Sequence, residues 1–243
     1  MSTVRLDIEY DGGRFKGWAA QPGQRTVQAE LEAALATVLR EEVQLTVAGR
    51  TDAGVHALGQ VASFATNAAV GEDLARRLNG VGPDDVAVTA ASVVADGFDA
   101  RDDARSRSYL YRILTRPAPS PLERGRALWW PHRLDVDALE QCAAALAGKH
   151  DFTAFTPTQT DHVHFERNVL AATWERKNDI LTFRITADAF MRNMVRVLVG
   201  TMLEAANSRR TPESFKQLLQ GAPRSAAGDT APPHGLYLES VSY

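Results

Sequence analysis

Apolar residues recur at every second position in some segments of this chain and at helical spacing in others. Near the start, Val4, Leu6 and Ile8 alternate with charged residues, which predicts a strand with one buried and one exposed face. After Thr26, a residue type favoured at helix N-termini, apolar residues from Val27 to Leu39 follow helical spacing, which predicts a helix packed on that strand. Any fold of this chain must therefore combine a half-buried sheet with helices.

The same two patterns continue along the chain, and the second half begins to repeat the order of the first. Further strands are predicted at 43–47, 86–94, 107–114, 169–175, 180–187 and 236–241, and further helices at 72–79, 139–148, 191–202 and 211–219. Strands and helices in both halves imply an α+β fold with helices backing a mostly antiparallel sheet. The predicted division is an N-terminal half, 1–105, and a C-terminal half, 106–243, with Pro117 to Pro121 as the candidate boundary region.

Length and composition limit the class of protein. The 243 residues suffice for one large or two small domains with a buried core. No apolar run approaches the roughly 20 residues of a membrane span, and the first ten residues lack the pattern of a secretory signal. We therefore expect a cytoplasmic protein with no membrane partner. Cys142 is the only cysteine, so it forms neither an internal disulfide nor a cysteine zinc site, and we interpret it as a core residue.

One segment, residues 49–60, places a single carboxylate among small residues. It follows the predicted strand 43–47 and precedes Val61 and Phe64, so it is predicted to be a loop between two strands. Small neighbours and glycines leave room for a large substrate to approach Asp52, and Arg50 can hold its carboxylate ionised. On pattern alone, a charged turn is the commoner interpretation of such a loop.

The formal net charge of -3 is unusual for a dedicated nucleic-acid binder. Arginines are nevertheless concentrated in two zones that can line one groove. The first zone surrounds Tyr109 and Tyr111 and consists of Arg101, Arg105, Arg107, Arg112 and Arg116. The second lies along or just after the helix predicted at 191–202 and consists of Arg192, Arg196, Arg209 and Arg210. A local basic surface is therefore predicted on an acidic chain.

The segment Gly49-Arg50-Thr51-Asp52-Ala53-Gly54-Val55-His56 resembles the signature of the tRNA pseudouridine synthase A family, and further matches follow in the family's order along nearly the whole chain. These are Tyr10-Asp11-Gly12, Phe15-Lys16-Gly17-Trp18, Thr26-Val27-Gln28, Tyr109, Tyr111, Asp151-Phe152-Thr153, Phe190 to Gly200 and Gly235-Leu236-Tyr237-Leu238. An ordered series of this kind is far more specific than one short motif. The chain departs from the family at Ala19 and at Val81-Gly82. These differences can alter how tRNA docks on the protein.

The resemblance implies two similar α/β halves related by a pseudo-two-fold axis, sharing one sheet, with the active cleft between them. It implies isomerisation of uridine to pseudouridine in tRNA, on the 3′ side of the anticodon stem and loop at tRNA positions 38, 39 and 40. It also implies a homodimer as the tRNA-binding form. The reaction requires no redox step or phosphate donor, so no cofactor and no metal are predicted.

The resemblance assigns catalytic roles to three residues. Asp52 is the catalytic carboxylate, Arg196 pairs with it and keeps it ionised, and Tyr109 lies against the flipped uracil. The carboxylate can attack the base at C6, attack the sugar at C1′ or assist a path through a glycal, and the sequence leaves the three open. Predicted substrate-binding residues are Arg50, Tyr109, Arg107, Gly54 and His56, the last also expected to be structural.

Two other classes of function, a silent RNA-binding protein and a hydrolase, are alternatives to the synthase. A catalytically silent RNA-binding protein of the same fold would keep the arginines and aromatic residues but would have no use for Asp52 with an arginine partner. An acid-assisted hydrolase would need two carboxylates around the scissile bond, and the loop offers one. His162, His164 and Glu166 are spaced to share one strand face and form the weaker hypothesis of a zinc site.

Overall fold

A computed structural model describes residues 1–160 and 163–243 of the chain. These residues form two compact units, one made of 1–105 with 237–243 and the other of 106–236. The closing strand thus lies in the first unit, whereas the division predicted from sequence places it in the second half. Strand pairing brings together residues that are far apart in sequence, which a division by sequence position does not capture.

The described residues contain both predicted types of element, which confirms the α+β class. The first unit contains β1 (Ser2–Tyr10), α1 (Val27–Leu39), β2 (Thr46–Val47), β3 (His56–Thr66), α2 (Leu74–Val81) and β4 (Val86–Val94). The second contains β5 (Ser106–Leu114), β6 (Leu128–Trp129), α3 (Val136–Ala144), β7 (Gly148–Asp151), β8 (Glu166–Lys177), β9 (Ile180–Ala187), α4 (Met194–Ala206) and α5 (Pro212–Gln217), and β10 (Leu236–Ser242) closes the chain. Among these helices, none combines the length and the apolar character needed to cross a bilayer.

In the first unit the strand order is β4-β1-β3-β10. β1 runs antiparallel to both β3 and β4, while β10 runs parallel to β3, with Tyr237 opposite His56. Val4, Leu6 and Ile8 on one face of β1 are fully buried, as their alternation with charged residues predicts. α1 buries Leu31 among other residues of its apolar stripe, so the first unit has one sheet whose core face is covered by helix.

In the second unit the strand order is β5-β9-β8-β7, with every neighbouring pair antiparallel. The short β6 pairs in parallel with β5. α4 is buried over most of its length, and α3 and α5 pack against it. This unit therefore has the same combination of antiparallel sheet and helices, with α4 as its central helix.

Several predicted boundaries differ from the structure. The predicted strand at 43–47 is reduced to β2, because the backbone N–H of Leu45 donates to the side chain of Glu32 on α1 (3.0 Å) rather than to a neighbouring strand. β3 begins at His56, inside the segment predicted to be a loop. Thr26 occupies the predicted N-cap position of α1, but its hydroxyl makes no capping bond. Thr211, at the predicted start of the last helix, by contrast caps α5 by accepting from the backbone N–H of Ser214.

The helix predicted at 139–148 ends earlier than expected, and the helix predicted at 191–202 begins later. α3 stops at Ala144, and Gly148, predicted to end it, instead opens β7 with a φ of +98°. α4 starts at Met194, and Met191 lies buried just before it. Apolar periodicity marks which side chains are buried, and burial continues past the hydrogen-bonded turns of a helix.

Candidate functional site

Asp52 lies in the connection between β2 and β3, immediately before a tight turn. The backbone N–H of Val55 donates to the carbonyl of Asp52 (3.1 Å), which closes the turn. Gly54 within it has a φ of +78°, a conformation that glycine adopts without strain. Asp52 is half-buried and Ala53 beside it is exposed. The structure therefore presents the Asp52 carboxylate at the surface of the first unit, as the sequence predicts.

The segment that precedes α1 supports this loop from one side. The backbone N–H of Trp18 donates to the carbonyl of Thr51 (3.0 Å), and the carbonyl of Phe15 accepts from the N–H of Gly54 (3.3 Å). Gly17 lies between them with a φ of +97°, and a Cβ added there would be 2.9 Å from the carbonyl oxygen of Thr51. The loop is thus bonded at two points to a second piece of backbone that approaches too closely for a side chain.

Arg25 holds that supporting segment in place. Its guanidinium lies over the ring of Phe15, 4.2 Å from the ring centre. The same group donates two hydrogen bonds to Asp85, each 2.7 Å long, and one of 3.0 Å to Glu30. These bonds raise the pKa of Arg25 and lower the pKa of Asp85, in both cases chiefly through the hydrogen bonds between the two side chains. Phe15, whose carbonyl bonds to the loop, therefore packs against a guanidinium that two carboxylates hold in place.

His56 follows the loop and is buried, with 2% of its surface exposed. The backbone N–H of Gly12 donates to its Nδ1 (3.0 Å), and its ring stacks on Tyr237 with centroids 4.6 Å apart. Asp11 is 3.1 Å from the same nitrogen, but a nitrogen that accepts from Gly12 carries no proton for the carboxylate. Its burial and these contacts support the structural role that one part of the prediction gives to His56, and its predicted contact with substrate stays a prediction.

Tyr109 and Tyr111 occupy one face of β5 in the second unit, since they are two residues apart on a strand. Tyr109 is 8% exposed, and its ring meets the ring of Phe190 edge to face, with centroids 4.9 Å apart. Tyr111 is fully buried and donates its hydroxyl hydrogen to the carbonyl of Pro232 (2.8 Å). Burial raises the pKa of Tyr111 well above its usual range. Both rings are fixed parts of this unit.

Arg107, two residues before Tyr109, donates from Nη1 to the backbone carbonyl of Asp188 (3.0 Å). Both residues lie at the same end of the β5–β9 pair, where Arg107 is opposite Ala187. Arg107 is half-buried. Its position beside Tyr109 on the strand agrees with the grouping predicted from sequence.

Arg196 lies on α4, half-buried between apolar neighbours. Its Nε donates to the carbonyl of Ala231 (2.7 Å) and its Nη1 to the side-chain oxygen of Asn193 (3.0 Å). The backbone N–H of Ala231 in turn donates to the carbonyl of Arg196 (3.1 Å). Asn193 has a φ of +62°, so its backbone turns sharply just before the helix. These bonds fix the direction of the guanidinium, and the predicted pairing of Arg196 with Asp52 stays a prediction.

The two predicted arginine zones are only partly available for binding phosphate. In the second unit, three of these arginines bind carboxylates of the same unit, in the pairs Arg112–Glu123, Arg116–Asp179 and Arg210–Glu204. Arg192 is exposed and donates to the carbonyl of Gln159 (2.9 Å). Sequence clustering overestimated the basic surface here, because it did not reveal the acidic partners.

Within residues 1–160 and 163–243, no three His, Cys, Asp or Glu side chains are grouped so as to hold a metal ion. His162, part of the hypothetical zinc site, lies outside the described residues. Glu166, another part of it, forms an ion pair with Lys149 (2.9 Å).

Sequence reasoning missed the structural roles of Gly17 and Arg25. Gly17 belongs to a segment singled out only for its resemblance to the family, and Arg25 received no role. The positive φ of Gly17 and the ion pair of Arg25 with Asp85, 60 residues away, have no local sequence signal. Both support the loop that carries Asp52.

The family model described as tRNA pseudouridine synthase matches residues 8–101 and 142–243. Proteins called tRNA pseudouridine synthase A are similar over nearly the whole chain. The protein of Bacillus subtilis is 41% identical over 99% of this chain and 98% of its own length, that of Mesorhizobium japonicum 41% over 100% of both, and that of Streptomyces griseus 44% over 99% and 87%. A solved complex of Cbf5, Nop10 and Gar1 aligns with a TM-score of 0.34 and 12% identity, over 82% of this chain and 53% of that one. On the family match and these relatives, the chain belongs to the tRNA pseudouridine synthase family.

Proposed function

We propose that this protein isomerises uridine to pseudouridine in tRNA and that Asp52 is the catalytic carboxylate. The observation that carries the proposal is a half-buried aspartate at the turn of a firmly held loop, in a chain whose whole length matches relatives called tRNA pseudouridine synthase A. Ala53 and Gly54 add little bulk beside the carboxylate. A nucleotide drawn out of its stack can therefore reach it.

The reaction breaks the bond from ribose C1′ to N1 of uracil and forms a bond from C1′ to C5. N1 gains a proton and C5 loses one, so the product is an isomer of the substrate. No oxidant, reductant or phosphate donor is needed, and one ionised carboxylate is a sufficient protein group. Asp52 can add to C6 of the base, attack C1′ or assist loss of the 2′ proton on a path through a glycal; the first two form a covalent intermediate that divides one difficult step into easier ones.

Arg196 and Tyr109 are the proposed partners of Asp52. Arg196 would pair with the carboxylate and keep it ionised; the bonds of its guanidinium to Ala231 and Asn193 support this role, because they hold the cation in one direction. Tyr109 would stack on the flipped uracil, and its ring is already fixed against Phe190. In this proposal residues 1–105 supply the aspartate and residues 106–243 supply the arginine and the tyrosine.

Arg50, Gly54 and Arg107 are proposed to contact the RNA. Arg50 is exposed beside Asp52, and arginine suits bidentate contacts with phosphate. We propose that the target uridines lie on the 3′ side of the anticodon stem and loop and that a homodimer acts in the cytoplasm. A two-fold dimer would double the basic surface presented to one tRNA, which supports this assembly because several arginines of each chain are neutralised by ion pairs.

Tritium release from tRNA labelled at uridine C5 tests the proposal directly, with no cofactor or metal added. The wild-type protein should release tritium, and Asp52→Asn should release none while its Kd for tRNA stays within about two-fold. Asp7→Asn is the matched control, since Asp7 is a half-buried aspartate of the first unit that forms an ion pair with Arg5. It should turn over at the wild-type rate.

Full turnover by Asp52→Asn would refute the role of the aspartate. No release by wild type, with tRNA still bound, would instead favour a catalytically silent RNA-binding protein.

A further inference from the structure

A chain of buried polar side chains lies beneath the Asp52 loop in the first unit. It consists of Gln60 on β3, Tyr10 at the end of β1 and Thr51 in the loop, which are 0%, 5% and 7% exposed. The side-chain amide nitrogen of Gln60 is 2.8 Å from the carbonyl oxygen of Gly49 and 3.3 Å from the hydroxyl of Tyr10. The hydroxyl of Tyr10 is 2.7 Å from the hydroxyl of Thr51. Three residues from distant parts of the chain thus share one hydrogen-bonded network.

The hydrogen bonds that Gln60 makes in this network can be assigned. The amide of Gln60 has two hydrogens, and it donates one to Gly49 and one to Tyr10. Its oxygen accepts from the backbone N–H of Val61 (3.2 Å). Because Tyr10 accepts from Gln60, its own hydrogen is available for Thr51. Burial raises the pKa of Tyr10 to about 12, so the phenol keeps that hydrogen at physiological pH.

The network fixes the backbone on both sides of Arg50. Gly49 is held through its carbonyl, and Thr51 through its side chain. Thr51 directly precedes Asp52, so a rotation of its backbone would turn the carboxylate. Further bonds to this loop, such as the one from Trp18 to Thr51, join backbone groups. This network, in contrast, depends on the identity of its side chains.

We propose that Tyr10, Thr51 and Gln60 are positioning residues, which hold residues 49–52 in the conformation that directs the Asp52 carboxylate at the reacting nucleotide. The inference rests on the proposed function of Asp52. None of the three needs to touch the substrate, because each acts through the backbone of the loop. Their removal should therefore affect the chemical step more than the binding of tRNA.

The first test is Tyr10→Phe in the full-length protein, measured by tritium release under single-turnover and steady-state conditions. The change removes one oxygen and keeps the ring beside Trp18, whose centroid is 6.0 Å away. We expect kcat to fall about 10- to 100-fold, since a displacement near 1 Å in a catalytic group costs on the order of 100-fold. The KM for tRNA should stay within about two-fold.

Tyr243→Phe is the matched control. Its hydroxyl donates to the carbonyl of Ala100 (2.7 Å) in the same unit, so the substitution also removes a phenolic oxygen and a hydrogen bond. It should keep the wild-type kcat, whatever small loss of thermal stability it shows. Equal kcat for Tyr10→Phe and Tyr243→Phe would overturn the inference.

A second pair of variants keeps the test valid if Tyr10→Phe folds poorly. Thr51→Ser keeps the hydroxyl that is hydrogen-bonded to Tyr10, and Thr51→Val removes it at nearly constant volume. Thr51→Ser should turn over within a few-fold of wild type, whereas Thr51→Val should resemble Tyr10→Phe. The double variant of Tyr10→Phe with Thr51→Val should lose little more than either single variant, because both break the same chain.

Additive losses in the double variant, or equal activity of the Ser and Val variants, would contradict the proposal. Failure of the proposed function is a distinct outcome, since the wild-type protein itself would then release no tritium.

Discussion

Gly17→Ala tests how firmly the loop of Asp52 is held. The added methyl group raises the free energy of the folded state in two ways. The φ of +97° at Gly17 is unfavourable for any residue with a Cβ, by about 1–3 kcal/mol. The new Cβ would also lie 2.9 Å from the carbonyl oxygen of Thr51. This distance is roughly 0.6 Å shorter than the ~3.5 Å separation at which the attraction between non-bonded atoms is strongest. Overpacking of this kind costs about 1–3 kcal/mol.

Gly97→Ala separates the two costs. Gly97 has a similar φ, +85°, and lies in the same unit, but a Cβ there would meet nothing within 4 Å. We therefore expect Gly97→Ala to lose about 1–3 kcal/mol of unfolding free energy and Gly17→Ala about 2–6 kcal/mol. The difference between the two variants measures the contact with the loop, because the backbone strain is common to both.

Activity should distinguish the variants more sharply than stability. Relief of the contact requires the loop backbone beside Asp52 to move by roughly 0.6 Å, which should lower kcat about 10-fold if 1 Å costs on the order of 100-fold. Gly97→Ala should keep the wild-type kcat. Urea unfolding and tritium release, both measured at a temperature where all three proteins are folded, provide the comparison. Equal stability and equal kcat for the two variants would refute the close contact between Gly17 and the loop.

Two predictions concern pH. Burial raises the pKa of Tyr10 to about 12, above the roughly 10 of a tyrosine in an unfolded chain. The contribution of the Tyr10 hydroxyl to the free energy of unfolding is therefore complete below about pH 10 and falls by ~1.4 kcal/mol per pH unit up to about pH 12. Urea unfolding of Tyr10→Phe at alkaline pH should lack this fall. The pKa of Asp85 is lowered by Arg25, so its stabilisation is present above about pH 4 and disappears as the pH falls below that. Asp85→Asn should accordingly be less stable than wild type at pH 7, and the difference should shrink as the pH falls below about 4; a deficit that stays constant through this acid range would contradict the pairing.

Local patterns in the sequence predicted elements whose hydrogen bonds lie within a helix or between strands with a clear buried face. β4 (Val86–Val94) has the bounds predicted from apolar alternation. The segment 43–47 alternates just as clearly, yet only its last two residues form a strand, because Glu32 on α1 takes the N–H of Leu45. Alternation identifies which side chains can be buried, whereas strand formation also requires a free neighbouring edge.

Some features of the site are likewise determined by adjacent residues, and others by residues far apart in the sequence. The position of Asp52 in a loop with glycines was predictable, since turns are specified by adjacent residues. The bond from Gln60 to Tyr10 joins residues 50 positions apart, and no local pattern indicates it. Gln60 between the apolar residues Leu58 and Val61 of β3 was an available signal, because a buried amide requires partners.

The net charge of -3 is a poor guide to RNA binding, because it does not show where on the surface the cations without an ion pair lie. In the first unit, ion pairs with carboxylates neutralise three arginines, namely Arg5, Arg25 and Arg76. Arg14, Lys16 and Arg50 are exposed and, among the described residues, form no ion pair. All three lie in the loop of Asp52 or in the segment bonded to it. These three exposed cations are thus next to the proposed catalytic group, and a phosphate chain responds to that local field rather than to the charge of the whole protein.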